Sequence, residues 1–499
     1  MIPVPRIIQG GMGIGVSNWR LANAVSRLGQ LGVVSGTALD TLFLRRLADG
    51  DKGGDLRRGV DAFPFPAMAR RVWQDYFVPG GKPADAPYPM APMHQKSESR
   101  KLIELCIVSN FVEVFLAREG HANPVGVNYL EKVQLPHLAS IYGAMLAGVG
   151  YVLMGAGIPL HIPAVLDAYA ARRPAEYKLS VTGTPADPAA NPDQANPDTT
   201  LRFDPAEFAE GPLPELIRPK FLAIVSSNAL AATMLRRASG PVYGLVIESP
   251  TAGGHNAPPR GRLQLSPRGE PVYGPRDQVN LAELSALGVP FWLAGGYGSP
   301  ARLREAVEQG AAGVQVGTAF AFAEESGLRA DLKQNLLARA AAGSAEVFTD
   351  PLASPTGFPF KVAQVEGSLS EPAVYQARNR VCDLGYLREA YVTPEGKLGY
   401  RCSAEPTANH VAKGGREEDT AGRKCLCNAL LANVGFAQLR GAEGEEPPLV
   451  TVGDDLNTVA QFLPAGGSTY SAQDVVLALL GGLDGPVQHV APPALRTTA

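Results

Sequence analysis

The sequence predicts an α/β fold of the (β/α)8 TIM-barrel type. Three observations point there: eight short apolar runs that read as buried strands, helical spacing in the segments between them, and a first strand beginning within ten residues of the N-terminus. Runs rich in Val and Ile that end in Gly, Ser or Asn are how parallel strands covered on both faces read. They fall at residues 6–9, 31–35, 124–128, 150–154, 221–226, 242–248, 290–294 and 313–316. Between them, apolar residues recur three or four apart at 21–28, 136–147, 162–171, 229–238 and 300–309, the mark of return helices. An open doubly wound sheet is the competing architecture, but eight strands with helical connections fit closure better. A strand so early leaves, on this reading, no room for a preceding domain.

Two connections exceed what a barrel needs. One insertion follows strand 2, at about 37–122, and includes an aromatic, Pro-rich stretch at 73–93. The other precedes strand 5, at about 172–220, and contains PADPAANPDQANPDTT, which has no core face and reads as an exposed loop. Helical and loop character continues beyond Ala321. The expected organisation is a barrel over 1–345 and a C-terminal helical extension over 346–499 packed on it.

Composition narrows the function classes. A chain of 499 residues, 45% hydrophobic and 19% charged, has material for a large core and argues against disorder. Its net charge of -3 offers no basic field for nucleic acid or anionic lipid. No leader pattern and no membrane-length apolar segment is visible, so the expectation is a cytoplasmic protein acting on a small molecule, with a homo-oligomer compatible. Five cysteines, an odd number, argue against a disulfide framework.

The most informative segments are PFWLAGGYGSP, from Pro290, and GAAGVQVGTAF, from Gly310. In a barrel these are the last two strands, ending in Gly295 and Gly296 and in Gly317 and Thr318. Strand ends without side chains let main-chain N–H groups approach a phosphate, and the next helix N-terminus adds favourable dipole. Tight strand-to-helix turns alone would also use glycine, but two adjacent instances favour the phosphate reading. In VIESPTAGGHNA, Gly253 and Gly254 let a loop press on a flat ligand and deliver His255 to a strand end, where it can serve as acid or base. The opening IIQGGMGIG resembles a dinucleotide loop, yet its strand is too short and no acidic partner follows at the right distance, so it suits a strand end beside a ring better.

Other chemistry is thinner. Cys382, Cys402, Cys425 and Cys427 lie together in the C-terminal part, with C-x-C in GRKCLCNAL; they read either as ligands of zinc or an iron–sulfur cluster or as buried free thiols. His94, His121, His137 and His161 are scattered singly and read as structural or surface residues. Ser226 and Ser227 end a strand without a GxSxG elbow, which leaves hydrolase chemistry little support.

IIQGGMG, GVNYL from Gly126, AGGH from Ala252, AGGYG from Ala294 and GVQVGTAF from Gly313 occur in an order that resembles the nitronate monooxygenase (2-nitropropane dioxygenase) family, and SPTGFPFKV from Ser354 resembles its later segment. The resemblance implies an FMN-dependent barrel with the isoalloxazine across the strand ends. It implies main-chain contacts from Gly11 and Met12 beside the ring, with Gly254 in the loop against it. Asn128 would bond the pyrimidine edge and Gln315 would face the ring. Gly295, Gly296, Gly317 and Thr318 would hold the phosphate, and His255 matches the catalytic histidine. The implied reaction is oxidation of an alkyl nitronate with O2. Departures are Thr251, where the family often has an acid, and Ala257 followed by Pro258 and Pro259. The same superfamily resemblance extends to flavin-dependent enoyl-(acyl-carrier-protein) reductases, which use NAD(P)H on an enoyl thioester. A non-catalytic barrel serving as scaffold is the alternative from another class.

Overall fold

In the computed structural model, which describes residues 4–183, 197–481 and 483, eight parallel strands form one sheet. They are β1 (Ile7–Gln9), β2 (Gly32–Ser35), β3 (Val125–Leu130), β4 (Tyr151–Gly155), β5 (Lys220–Val225), β6 (Gly244–Glu248), β7 (Phe291–Ala294) and β8 (Gly313–Val316). Each matches a run read from the sequence to within two residues at either end.

The strands pair in sequence order from β2 to β8, and β1 pairs with β8 through Ile7 with Val314 and Gln9 with Val316. What closes the cylinder is the short seam between β1 and β2. There Ile8 bridges Leu31 in parallel, the Gln9 N–H donates to the Leu31 carbonyl at 2.9 Å, and the Leu31 N–H donates to the Ile7 carbonyl at 3.0 Å. One residue further up, the buried Gln9 side chain takes over from the main chain, its Oε1 accepting the Val33 N–H at 2.9 Å. The sheet is a closed (β/α)8 barrel.

Alternation along the strands sorts side chains between two cores. Ile8, Val33, Leu153, Leu222, Ile224, Val246 and Trp292 fill the interior, while Ile7, Val34, Val127, Val152, Phe221, Leu245, Leu293 and Val314 pack outward under the helices. Trp292 is fully buried and its Nε1 donates to the Pro5 carbonyl at 2.8 Å. Gly244 makes room for it: a Cβ there would lie 3.1 Å from the indole.

The insertion expected after β2 holds helices Leu39–Ala48, Asp55–Asp61, Pro66–Tyr76 and Arg100–Arg118; the last belongs to the barrel's outer layer, packing on Trp19–Arg27 and His137–Leu146. Within the insertion before β5, Ala175–Lys178 pairs antiparallel with Thr200–Phe203. Most of the stretch expected to be an exposed loop, 184–196, lies outside the described residues.

After β8 the chain leaves the barrel and later returns. Helix Ala472–Gly481 packs between Trp19–Arg27 and Pro300–Glu308, the place the eighth outer helix of a barrel occupies. Between them the chain crosses the C-terminal ends of the strands and forms the two-stranded ribbon β9 (Val347–Asp350) and β10 (Phe360–Ala363). Among the described residues no helix is long and apolar enough to cross a membrane.

The contact of β2 with helix Trp19–Arg27 is backbone on backbone: a Cβ at Gly32 would lie 1.9 Å from the Ala22 carbonyl oxygen. Gly32→Ala should cost roughly 1–3 kcal/mol or more in denaturant unfolding, because neither strand nor helix can yield. Gly274→Ala, where nothing lies within 4 Å of the added carbon, should stay within about 0.5 kcal/mol of the parent.

Candidate active site

The strand C-termini open into a cavity of about 1180 Å³, counting all space between atoms. It is lined by the ends of β1 (Gly10 to Gly13), β3 (Asn128), β6 (Glu248), β7 (Ala294 to Gly298) and β8 (Gln315 to Thr318), and by the loop Ala252 to His255. Every residue proposed from sequence for cofactor or catalysis lies here: Gly11, Met12, Asn128, Gly254, His255, Gly295, Gly296, Gln315, Gly317 and Thr318. Parallel closure explains this, since it brings all eight strand ends to one rim.

Two side chains on the rim carry unused hydrogen-bonding capacity. Asn128 donates through Nδ2 to the Gly11 carbonyl at 3.0 Å, and its Oδ1 is buried without a partner; Gln315 Oε1 is likewise buried and unpartnered. Such acceptors are expensive to leave unmet, so a ligand with N–H groups facing them would be favoured.

The main chain at the end of β1 is less available than the sequence suggested. Gly11 offers its carbonyl to Asn128, while the Met12 N–H donates to Ser17 Oγ at 2.9 Å and the Met12 carbonyl accepts the Ser17 N–H at 3.2 Å. Met12 therefore meets the cleft through its side chain, close to Gly317. Thr318 is also engaged: its hydroxyl donates to Asp455 Oδ1 at 2.7 Å and accepts the Gly453 N–H at 3.1 Å. At β7, Gly295 and Gly296 adopt φ of 90° and 73°, a region open chiefly to glycine. A Cβ at Gly295 would lie 2.3 Å from Ser249 Oγ.

His255 is held by the C-terminal extension. Its loop lies antiparallel to β10, with the Lys361 N–H donating to the Gly254 carbonyl at 3.0 Å and the Asn256 N–H to the Pro359 carbonyl at 2.9 Å. The imidazole packs edge-on against Phe360, ring centroids 4.8 Å apart, and Nε2 lies 2.7 Å from Ser354 Oγ. Burial lowers its pKa to about 4, so the ring is neutral at pH 7.

Sequence reasoning missed several cleft residues. Glu248 ends β6 with no hydrogen-bond partner for its carboxyl among the described residues, and burial pushes its pKa up to about 8. Its signal was available, an acid at the C-terminal end of a barrel strand. Thr451, Val452, Gly453 and Asp455 come from the far extension and carried no such signal. Thr451 Oγ1 accepts the Gly254 N–H at 2.8 Å, and Gly253 packs so closely that a Cβ there would be 2.7 Å from the Val452 carbonyl carbon. Burial also raises the Asp455 carboxyl above its ordinary range.

No protein-family model and no curated protein matches the chain. Among solved structures it is similar to a nitroalkane oxidase from Streptomyces ansochromogenes (15% identity, 97% of this chain and 96% of that one, TM-score 0.47) and to FabK from Thermotoga maritima (15%, 96% and 93%, 0.46). It is also similar to the enoyl reductase domain of MlnA from the macrolactin biosynthesis cluster of Bacillus amyloliquefaciens (12%, 96% and 94%, 0.44). The barrel assignment rests on strand order and register.

Glu248 binds its proton more tightly folded than unfolded, so the stability it contributes is complete below pH 4.5 and is lost as pH rises through about 8. Glu248→Gln should remove that decline, seen by comparing denaturant midpoints at pH 5 and pH 9. An unchanged decline would show that the carboxyl ionises normally. In histidine NMR of the apoprotein, the His255 ring should remain neutral as pH falls from 7 to 5.

Proposed function

We propose that this protein is an FMN-dependent oxidoreductase that oxidises alkyl nitronates with O2. The observation that carries the reading is the pair of buried, unpartnered carbonyl oxygens of Asn128 and Gln315 on a rim rich in glycine. Acceptors fixed beside such a rim suit the N–H edge of an isoalloxazine. Gly296 leaves main-chain space for a phosphate at the β7 end, with Gly295 packed on Ser249 and Gly317 beside Met12 contributing main chain to the same rim, where the hydroxyl of Thr318 is turned to Asp455. The residues fit the group, and burial, which raises the Asp455 carboxyl above its ordinary range, lessens its repulsion of a phosphate beside it.

Bound FMN would supply the redox chemistry, taking electrons from the substrate and passing them to O2. The chain's own part is acid–base and positional. His255 is neutral and held at Nε2 by Ser354, which leaves Nδ1, without a partner among the described residues, to accept a proton from the carbon of a neutral nitroalkane or to orient the anion. Glu248, protonated at pH 7, can donate a hydrogen bond to a nitro oxygen as negative charge builds there. Thr451, Val452 and Gly453 cover the AGGH loop and limit water at that edge.

The test is anaerobic reduction of the flavin-loaded protein, followed in the visible spectrum. Bleaching by an alkyl nitronate alone is the expected result. Bleaching by NADH or NADPH alone would move the assignment to an enoyl reductase, and a chain that cannot be loaded with flavin would overturn both. His255→Ala should keep the flavin and lower turnover of neutral nitroalkane by roughly 100-fold. Gly296→Leu should instead empty the site, since the added side chain would stand where the phosphate belongs.

A further inference from the structure

Four of the five cysteines, distant in sequence, meet at one small cavity. Cys382, Cys402, Cys425 and Cys427 line it, with Pro355, Leu384, Leu387, Ala404 and Leu426 completing a nearly apolar wall around about 260 Å³ of space between atoms. Three of the thiols are buried, Cys382 is half-buried, and all four are free. A cavity walled by four thiols from three separate segments has no evident role in packing alone, because filling it with apolar side chains would be more stable.

Donors and positive charge lie beside the sulfurs. Asn428 Nδ2 donates to Cys425 Sγ at 3.5 Å. Arg388 acts electrostatically on Cys382 and Arg423 on Cys402. Both arginines hydrogen-bond main-chain carbonyls, Arg388 those of Gly385 and His94, Arg423 those of Leu352, Ser354 and Asp419, and neither forms an ion pair among the described residues. Positive charge beside four sulfurs suits an anionic occupant.

We propose that Cys382, Cys402, Cys425 and Cys427 hold one 4Fe–4S cluster in this cavity. Among the described residues no three His, Cys, Asp or Glu side chains converge closely enough to share a single ion, which argues against zinc, whose ligands must all lie about 2.3 Å from one metal. A cubane asks for a different arrangement: each iron takes one thiolate and shares sulfides with the others, so the four sulfurs stand apart around a larger core. Binding would release the four thiol protons and leave an anionic centre for Arg388 and Arg423 to balance. The site adjoins the cleft. Cys427 and cleft-lining Leu430 share helix Leu426–Ala432, and cavity-lining Pro355 follows Ser354, the partner of His255.

The experiment is iron and acid-labile sulfide analysis of the full chain, purified anaerobically and then reconstituted with equal amounts of ferric and ferrous iron and with sulfide. About four of each per chain are expected. Dithionite reduction should also give an electron paramagnetic resonance signal from the cluster, distinct from any flavin radical. Cys425→Ser and Cys427→Ser should each lose most of the iron, whereas Cys106→Ser, whose thiol lies against Ser140, should keep it. If the cavity variants fail to fold, the wild-type analysis still decides. Well-folded wild type without iron and sulfide, one zinc per chain, or a Cys382–Cys402 disulfide in the anaerobic protein would each overturn the proposal. Because iron is measured whether or not flavin is bound, failure here leaves the flavin reading untouched.

Discussion

The arrangement depends on closing a parallel sheet with a strand of three residues. β1 has full partnership with β8 but only a bridge to β2, and the buried Gln9 side chain supplies the bond that the main chain lacks. Gln9 also donates to Ser17 Oγ at 2.9 Å, and that hydroxyl in turn accepts the Met12 N–H. One amide thus closes the cylinder and fixes the turn at which β1 enters the cleft. The same network engages Met12's main chain and leaves its side chain toward the cleft.

The second dependence runs from the C-terminal extension to the site. Lys361 on β10 is buried, pairs with Asp454 at 2.7 Å and donates to Thr349 Oγ1 at 2.6 Å. That ion pair joins the ribbon to the segment 451–455. The ribbon carries Phe360 against His255, and the segment carries Thr451 and Gly453 against the AGGH loop and Thr318. A buried charge must keep its partner, so the two pieces hold or fail together. The extension is therefore part of the cleft wall, and Ala472–Gly481 then anchors it by completing the helical layer.

The barrel was legible because buried parallel strands announce themselves locally, by apolar runs with glycine or polar ends. The rim residues were legible for the same reason: a strand end points to the site whatever its partners are. Glu248 had that signal too and was passed over because the adjacent AGGH motif drew the reading to His255. The roof was not legible. Thr451 and Asp455 reach the cleft through contacts nearly two hundred and about a hundred and forty residues apart in sequence, set by tertiary packing that no local period records. The eighth outer helix was hidden likewise, since a barrel helix is expected soon after its strand and here the chain spends 322–471 elsewhere. His94 shows the limit for single residues: read as solitary, it lies 2.7 Å from Asp40 and 2.6 Å from Glu98, which hold its pKa near 10 despite burial.

His255 and Glu248 illustrate how one environment can serve two roles. Burial acts on both, and because it disfavours charge it moves them in opposite directions, the imidazole down to about 4 and the carboxyl up to about 8. Between those values the cleft holds a neutral acceptor and a neutral donor at once, with no ion pair between them to break before a proton moves. Ion pairing would have done the reverse, leaving a charged pair whose desolvation opposes entry of an apolar substrate. A substrate that develops negative charge at one atom while giving up a proton at another meets both needs without reorganising the protein. Asp455, also raised by burial, extends the pattern to the β8 end, where Thr318 rather than a cation satisfies it. Between those two values His255 and Glu248 thus stay largely uncharged until a ligand supplies the charge.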